Sequence, residues 1–135
     1  MEAVILDTDV FSFLFKRDTR AGLYEPDLRG RQLCLSFQTV AELKEWSIER
    51  NWGTGRRQSL EAVLMRYVVL PYHAAMADRW AEIVARRKRM GHEIGCGDAW
   101  IAASALQHGA LLLTHNGRDY ADIPGLRIIT HGPAT

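Results

Sequence analysis

The sequence lacks long hydrophobic runs, a secretory signal and a dense set of cysteines. No stretch approaches the roughly 20 uninterrupted apolar residues that a membrane span requires, and no charged-then-apolar pattern opens the chain. Its only cysteines, Cys34 and Cys96, have neither CxxC spacing nor the dense pattern of a disulfide-stabilised secreted domain. We therefore expect a cytoplasmic protein with no membrane segment, in which both cysteines are buried free thiols.

A large excess of charge is also absent. The chain has 17 Lys plus Arg and 16 Asp plus Glu, which gives a formal net charge of +1 at pH 7. A polyanion would therefore be attracted only by a local basic patch or by metal ions. With 135 residues, of which 47% are hydrophobic, the chain is long enough for one core. We expect a single domain over residues 1–135, whose function depends on local patterns.

Apolar runs typical of buried strands alternate with helical patterns along the chain. Strands are predicted at residues 3–6, 32–36, 67–70, 111–114 and 126–129. Helices are predicted at residues 10–15, 39–50, 56–66, 73–90 and 98–107, and residues 16–30 are expected to form a loop or a broken helix. This alternation predicts an α/β fold, in which a central, mostly parallel β-sheet is flanked by α-helices.

Four carboxylates lie at the ends of predicted strands or at the starts of the helices that follow. Asp7 and Asp119 come after strands, whereas Glu42 and Asp98 lie near helix starts. Ligands of open α/β sheets bind beyond the carboxyl ends of the strands, so we expect all four acids at that rim. Clustered carboxylates without paired His or Cys suit Mg²⁺ or Mn²⁺ better than zinc.

Each acid also has a purely structural explanation. Glu42 lies three residues after Thr39 and would complete a capping box, and Asp98 would cap its own helix. Asp119 lies in a turn-rich stretch where Asp is common for backbone reasons. Asp7 is harder to explain in this way, because burying a carboxylate beside other acids is costly unless a cation or a proton compensates it.

Four segments, taken in order, resemble the successive motifs of PIN-domain proteins. They are Leu6-Asp7-Thr8-Asp9, Thr39-Val40-Ala41-Glu42-Leu43, Gly97-Asp98-Ala99-Trp100-Ile101-Ala102-Ala103-Ser104-Ala105 and Thr114-His115-Asn116-Gly117-Arg118-Asp119-Tyr120. The match spans nearly the whole chain and most resembles the VapC and FitB group of single-domain prokaryotic toxins. The resemblance implies a metal-dependent endoribonuclease that forms homodimers and is held inactive by a cognate antitoxin.

The resemblance also implies roles for individual residues. It places Asp7, Glu42 and Asp98 in an acidic cluster that binds Mg²⁺ or Mn²⁺, with Asp119 as a more variable fourth acid. In such a site, a metal-activated water would hydrolyse an RNA phosphodiester bond without a covalent protein intermediate. All four acids are therefore candidate catalytic and metal-binding residues.

Further positions around the motifs are expected to support the site. Thr8 and Asn116 would be polar support for the acids. The sequence departs from the family at Asp9, where Asn is often found, and at Tyr120, where Phe is common, but neither change removes a required ligand.

Three arginines are candidate RNA contacts. Arg118 lies within the last acidic motif, and Arg86 and Arg87 belong to the basic run at residues 86–89. A basic run at a helix end also complements the helix dipole and usually stays solvated, so it does not by itself indicate RNA binding.

Two other functions fit parts of the same sequence. Asp7-Thr8-Asp9 also resembles the opening motif of haloacid-dehalogenase-type phosphatases, in which the first Asp attacks phosphate. That family would need another Asp a few residues after Asp98 and a later Lys, but residues 99–102 contain no acid and no Lys follows Lys88. A non-catalytic PIN-like binding module also remains open, because metal ligands alone do not prove turnover.

Overall fold

Five β-strands form one sheet at the centre of the structure, a computed structural model that describes residues 1–133. They are β1 (Ala3–Leu6), β2 (Gln32–Ser36), β3 (Val68–Leu70), β4 (Leu111–Leu113) and β5 (Ile128–Ile129). Their order in the sheet is β3-β2-β1-β4-β5, and all four neighbouring pairs are parallel. The predicted α/β fold is confirmed, and the sheet proves to be parallel throughout the described residues rather than mostly parallel.

Helices connect the strands, as parallel pairing requires. They are α1 (Thr8–Lys16), α2 (Ala21–Leu28), α3 (Phe37–Glu49), α4 (Thr54–Leu64), α5 (Ala74–Arg89) and α6 (Cys96–His108), and a short 3₁₀ helix covers Gly117–Tyr120. The segment expected to be a loop or broken helix therefore contains α2, which has Pro26 inside it. No helix among residues 1–133 is long and apolar enough to cross a membrane.

The sheet is buried on both faces, which explains the unbroken apolar runs in its strands. Successive side chains of a strand point to opposite faces. In β1, Val4 and Leu6 pack in one cluster with Phe11 and Leu43, whereas Ile5 packs in the cluster on the other face. Each face of the sheet therefore has its own core. Cys34 is buried in one of these cores as expected, whereas the expected burial of Cys96 is wrong, because Cys96 is exposed at the start of α6.

The chain crosses from one side of the sheet to the other at β1. β1 pairs with β2 on one side and with β4 on the other, so the crevice beyond the ends of β1 and β4 is the topological switch point. The backbone N–H of Asp7 donates to the carbonyl of Leu113 at 2.8 Å, which joins the two strand ends. This crevice is where the acids predicted at the strand ends should meet.

Candidate metal centre and active site

Asp7 is fixed at the switch point by hydrogen bonds to both of its carboxylate oxygens. It is the N-cap of α1, and its Oδ1 accepts from the backbone N–H of Thr8 at 2.8 Å. Its Oδ2 accepts from the hydroxyl of Thr114, which follows β4, at 2.8 Å. Only 6% of Asp7 is exposed. The carboxylate is thus held in one orientation at the ends of the two central strands.

Glu42 reaches the same region from α3 and is oriented by side chains. The hydroxyl of Thr8 donates to Glu42 Oε2 at 2.6 Å, and the amide of Gln38 donates to Oε1 at 3.3 Å. Thr39 is fully buried and its hydroxyl lies 2.9 Å from that of Thr8. The expected polar support by Thr8 is therefore a direct contact with one of the candidate ligands.

The capping box predicted from Thr39 and Glu42 is wrong. α3 begins two residues earlier than expected, at Phe37, and its N-cap is Ser36, whose hydroxyl accepts from the backbone N–H of Gln38 at 3.2 Å. Thr39 and Glu42 lie within the helix, where neither caps it. The structural explanation for the acid at position 42 is thereby removed.

The capping role considered for Asp98 is also wrong. α6 begins at Cys96 with Gly95 as its N-cap, and no side chain caps it. Asp98 lies in the first turn, where its Oδ1 accepts from the hydroxyl of Tyr120 at 3.1 Å. The Tyr found where the family often has Phe thus adds a hydrogen bond to a candidate ligand.

Gly97 allows α6 to approach the Glu42 side chain closely. A Cβ at this position would lie 2.9 Å from Glu42 Oε1 and 2.9 Å from the amide nitrogen of Gln38. Such contacts are too short for a real side chain. The absence of a side chain at Gly97 therefore lets the first turn of α6 lie against the acid on α3.

Asp9 is a fifth acid at the site, which sequence reasoning treated only as a departure from the family pattern. Its Oδ2 accepts from the side-chain amide of Asn116 at 3.0 Å and from the backbone N–H of His115 at 3.2 Å. Its Oδ1 accepts from the N–H of Val10 at 2.6 Å. The spacing of two residues from Asp7, at the start of a helix, was the available signal. The expected support by Asn116 is directed to this acid.

Burial and the charges of neighbouring acids raise the pKa values of Asp7, Asp9 and Asp98. Burial, followed by the negative charges of Asp9 and Asp98, raises the pKa of Asp7 to about 7. Burial also raises the pKa of Asp98, and the charges of Asp119 and Glu42 add to this increase. Burial likewise raises the pKa of Asp9. The five carboxylates share one electrostatic field, and their charges need a proton or a cation for compensation.

The acids of this site fit a hard divalent cation such as Mg²⁺ better than a structural metal that is held entirely by protein ligands. Among residues 1–133, no three His, Cys, Asp or Glu side chains stand close enough together to hold a metal ion between them. Mg²⁺, however, keeps several waters and usually binds through one or two carboxylates together with substrate phosphates. The oxygen-only donors and the uncompensated charge at Asp7 and Asp98 match that requirement, whereas zinc prefers His and Cys.

Asp119 lies at the outer edge of the site, and Arg87 fixes its backbone. Asp119 is exposed, and its carbonyl accepts from Arg87 Nη2 at 2.7 Å. The same nitrogen donates to the carbonyl of Ala121 at 2.8 Å. Arg87 is only 2% exposed and its Nη2 is occupied by these two carbonyls, and its expected contact with RNA stays a prediction. Arg118 and Arg86 are exposed, and their RNA contacts stay predictions.

We expect Arg87→Met to destabilise the protein by about 3 kcal/mol, because it leaves the carbonyls of Asp119 and Ala121 without their charged donor. Urea unfolding followed by circular dichroism measures this change. Lys88→Met is the matched control, since Lys88 is the exposed neighbour on α5 and its loss should stay within about 0.5 kcal/mol. Equal stabilities of the two variants would show that the buried guanidinium does not hold the segment after β4.

Comparison with known proteins agrees with this geometry. The PIN domain family model matches residues 4–126. The chain therefore belongs to the PIN-domain family. It is 33% identical over 134 residues to the VapC ribonuclease Y4jK of Sinorhizobium fredii, a match that covers 93% of this chain and 95% of the relative. It is 30% identical over 128 residues to the tRNA(fMet)-specific endonuclease VapC of Shigella flexneri, covering 91% and 93%.

A solved structure of the same kind matches the fold. The structure of VapBC-1 from nontypeable Haemophilus influenzae has a TM-score of 0.78 and 28% sequence identity, and the match covers 95% of this chain and 97% of that chain. The predicted class, a PIN-domain ribonuclease toxin of the VapC type, is confirmed. The haloacid-dehalogenase alternative finds no support in these comparisons.

Proposed function

We propose that this VapC-type nuclease is a Mg²⁺- or Mn²⁺-dependent endoribonuclease that cuts RNA at the switch point of its sheet. The observation that carries the proposal is the set of carboxylates around the ends of β1 and β4, where burial and mutual repulsion raise the pKa values of Asp7, Asp9 and Asp98. Such a cluster costs stability unless a cation or protons neutralise it. An acidic cluster that destabilises the folded protein in this way is a candidate for a catalytic site.

Asp7 and Asp98 are the best-placed direct metal ligands on this proposal, and Glu42 would act on the ion through a bound water, because no three acids among residues 1–133 stand close enough to bind one ion together. When bound, Mg²⁺ or Mn²⁺ supplies an activated water and neutralises charge on the phosphoryl oxygens. The protein holds the carboxylates in place: Thr114 orients Asp7, Thr8 orients Glu42 and Tyr120 orients Asp98. Fixed ligands lower the cost of reorganisation during the reaction.

Asp9 and Asp119 complete the acidic set from its two sides. Asp9, which lies in the first turn of α1, adds charge to the field around Asp7. Exposed Asp119 is suited to orient water or substrate at the mouth of the site rather than to hold the ion at its centre. The unpaired backbone N–H groups in the first turn of α6 favour a phosphate beside Asp98.

The comparisons suggest the partners. The Shigella flexneri relative is named as a tRNA(fMet)-specific endonuclease, which supports a transfer RNA as the substrate class. The Haemophilus influenzae structure is of VapBC-1, which supports a cognate antitoxin as a protein partner. We include homodimerisation in the proposal on family resemblance. These partners imply that the protein works in the cytoplasm.

Cleavage of total bacterial RNA tests the function. We expect the purified protein to create new RNA ends at a small number of sites in about 5 mM Mg²⁺ or Mn²⁺. EDTA should abolish the cuts and excess Mg²⁺ should restore them. Sequencing the new ends identifies the substrate, and addition of a cognate antitoxin should stop the reaction.

Two outcomes would contradict the proposal. Cleavage that persists in EDTA would remove the metal from the mechanism. Absence of cleavage in Mg²⁺ and in Mn²⁺, despite tight binding to the antitoxin, would identify the chain as a non-catalytic PIN-like binding module.

A further inference from the structure

A cleft of about 270 Å³ lies along α5, outside the acidic centre. Its lining carries four arginines and two acids: Arg79, Arg86, Arg87, Arg89, Glu82 and Asp122. Within residues 1–133, no salt bridge pairs any of these arginines with a carboxylate. The lining therefore has an excess of positive charge that the described part of the protein does not neutralise by ion pairing.

Arg87 has an unsatisfied donor in the wall of this cleft. Its Nη2 binds the carbonyls of Asp119 and Ala121, but its Nε is buried and has no hydrogen-bond partner in the described residues. A buried, unpartnered donor on a charged group is costly, because its lost hydration is not replaced. Because this nitrogen has almost no exposed surface, it adds positive charge to the wall of the cleft rather than a donor that a ligand could reach.

The same arginine connects the cleft with the candidate active site. Arg87 also lines a second cavity of about 140 Å³, whose other walls include Asp98 and Asp119. A polymer that enters the acidic site therefore has a positively charged path beside it.

The length of the arginine row favours a chain of phosphates over a single one. Arg79 and Arg86 are seven residues apart on α5, which corresponds to about 10 Å along a helix, and both line the cleft. Guanidinium groups bind phosphate oxygens through two parallel hydrogen bonds. We infer that this cleft binds backbone phosphates of the RNA substrate next to the scissile position, an inference that rests on the proposed function.

RNA is favoured over an acidic protein segment by the place of the cleft. The acidic centre repels a polyanion, so a substrate needs compensating contacts close to it. The cleft supplies them through the wall that it shares with Asp98 and Asp119. Glu82 and Asp122 reduce the positive charge of the cleft without cancelling it. This weakens RNA binding enough for the product to dissociate after cleavage.

Binding of a fluorescent 12-nucleotide single-stranded RNA, measured by anisotropy in EDTA, tests the inference without cleavage. Arg86→Gln and Arg89→Gln should each raise Kd about fivefold at low salt. Each should also lower the slope of log Kd against log salt by about 0.7, as expected for one lost phosphate contact. Lys88→Gln is the matched control, because Lys88 is an exposed residue of the same turn that does not line the cleft.

Equal binding by Arg86→Gln, Arg89→Gln and Lys88→Gln would overturn the inference. So would a 12-residue poly-glutamate peptide that displaces the RNA at equal concentration, since it would identify an acidic protein segment as the occupant. Failure of the proposed function is a different result, namely no RNA cleavage by the wild-type protein in Mg²⁺. The cleft and the reaction are therefore tested independently.

Discussion

Asp7→Asn and Asp98→Asn should each lower the rate of RNA cleavage by about 10³-fold or more. Each change removes one negative charge and one oxygen ligand while keeping the shape of the side chain. A loss of 10³ corresponds to about 4 kcal/mol of transition-state stabilisation, which is within what a bound metal contributes. Initial rates on the RNA identified by end sequencing, at saturating Mg²⁺, measure the effect.

Asp78→Asn is the control for these two variants. It makes the same chemical change on the exposed face of α5, away from both cavities. It should retain the wild-type rate. All three proteins should unfold cooperatively and keep the wild-type circular dichroism spectrum, so that lost activity reflects lost chemistry. Undiminished cleavage by either site variant would contradict the assignment of that residue as a metal ligand.

The position of the candidate site could be predicted because the end of a strand is visible in the local sequence. A parallel sheet then brings these strand ends together at one edge. The apolar run at residues 3–6 ends at Asp7, and parallel strands bring their carboxyl ends to one edge of the sheet. Asp119 and Asp98, which lies in the first turn of α6, follow the same logic, whereas Glu42 lies further along α3 than expected. The apolar runs and the parallel sheet together indicated the edge of the sheet where the acids lie. Neither indicated which side-chain atoms would form hydrogen bonds with one another.

Contacts between distant residues could not be predicted in this way. Ser36 and Thr39 are both good N-cap residues, and local sequence does not decide between them. The structure uses Ser36 as the cap, because Thr39 is buried against Thr8, which lies 31 residues earlier in the chain. The same limit applies to Arg87, which the sequence places in a solvated basic run. The structure shows instead that two distant backbone carbonyls accept hydrogen bonds from its guanidinium group.

Helix α2 shows a second limit of the sequence. Pro26 argued against a regular helix, because proline removes a backbone donor inside it. Tyr24 nevertheless packs in the core, and its hydroxyl donates to the carbonyl of Thr114 at 3.2 Å and accepts from the N–H of His131 at 3.1 Å. These long-range contacts compensate for the poor local propensity of the segment.

The metal-free protein should become less stable as the pH rises from about 4 to about 7, because folding raises the pKa of the Asp7 carboxyl to about 7. The folded state then holds this proton more tightly than the unfolded chain, where an Asp titrates near pH 3.9. The contribution of Asp7 to stability is therefore fully present below about pH 4 and is lost as the pH rises through 7. A difference of about three pKa units corresponds to about 4 kcal/mol.

Urea unfolding in EDTA at three pH values across this range measures the slope, and Asp7→Asn should remove most of it. The raised pKa values of Asp9 and Asp98 act in the same direction and should leave a smaller residual slope. At pH 8 the metal-free variant should be more stable than the wild-type protein, although it no longer cleaves RNA. Asp78→Asn should keep the full wild-type slope, which separates the buried acid from a general change in charge.

Mg²⁺ should reverse the loss at high pH in the wild-type protein, because a cation bound only to the folded state stabilises it by mass action. The same addition should have little effect on Asp7→Asn. A wild-type slope that persists unchanged in Asp7→Asn would show that Asp7 does not carry the buried charge. If the slope vanishes but Mg²⁺ still stabilises the variant, the ion is held by the other acids, and Asp7 contributes charge to the site without being a ligand.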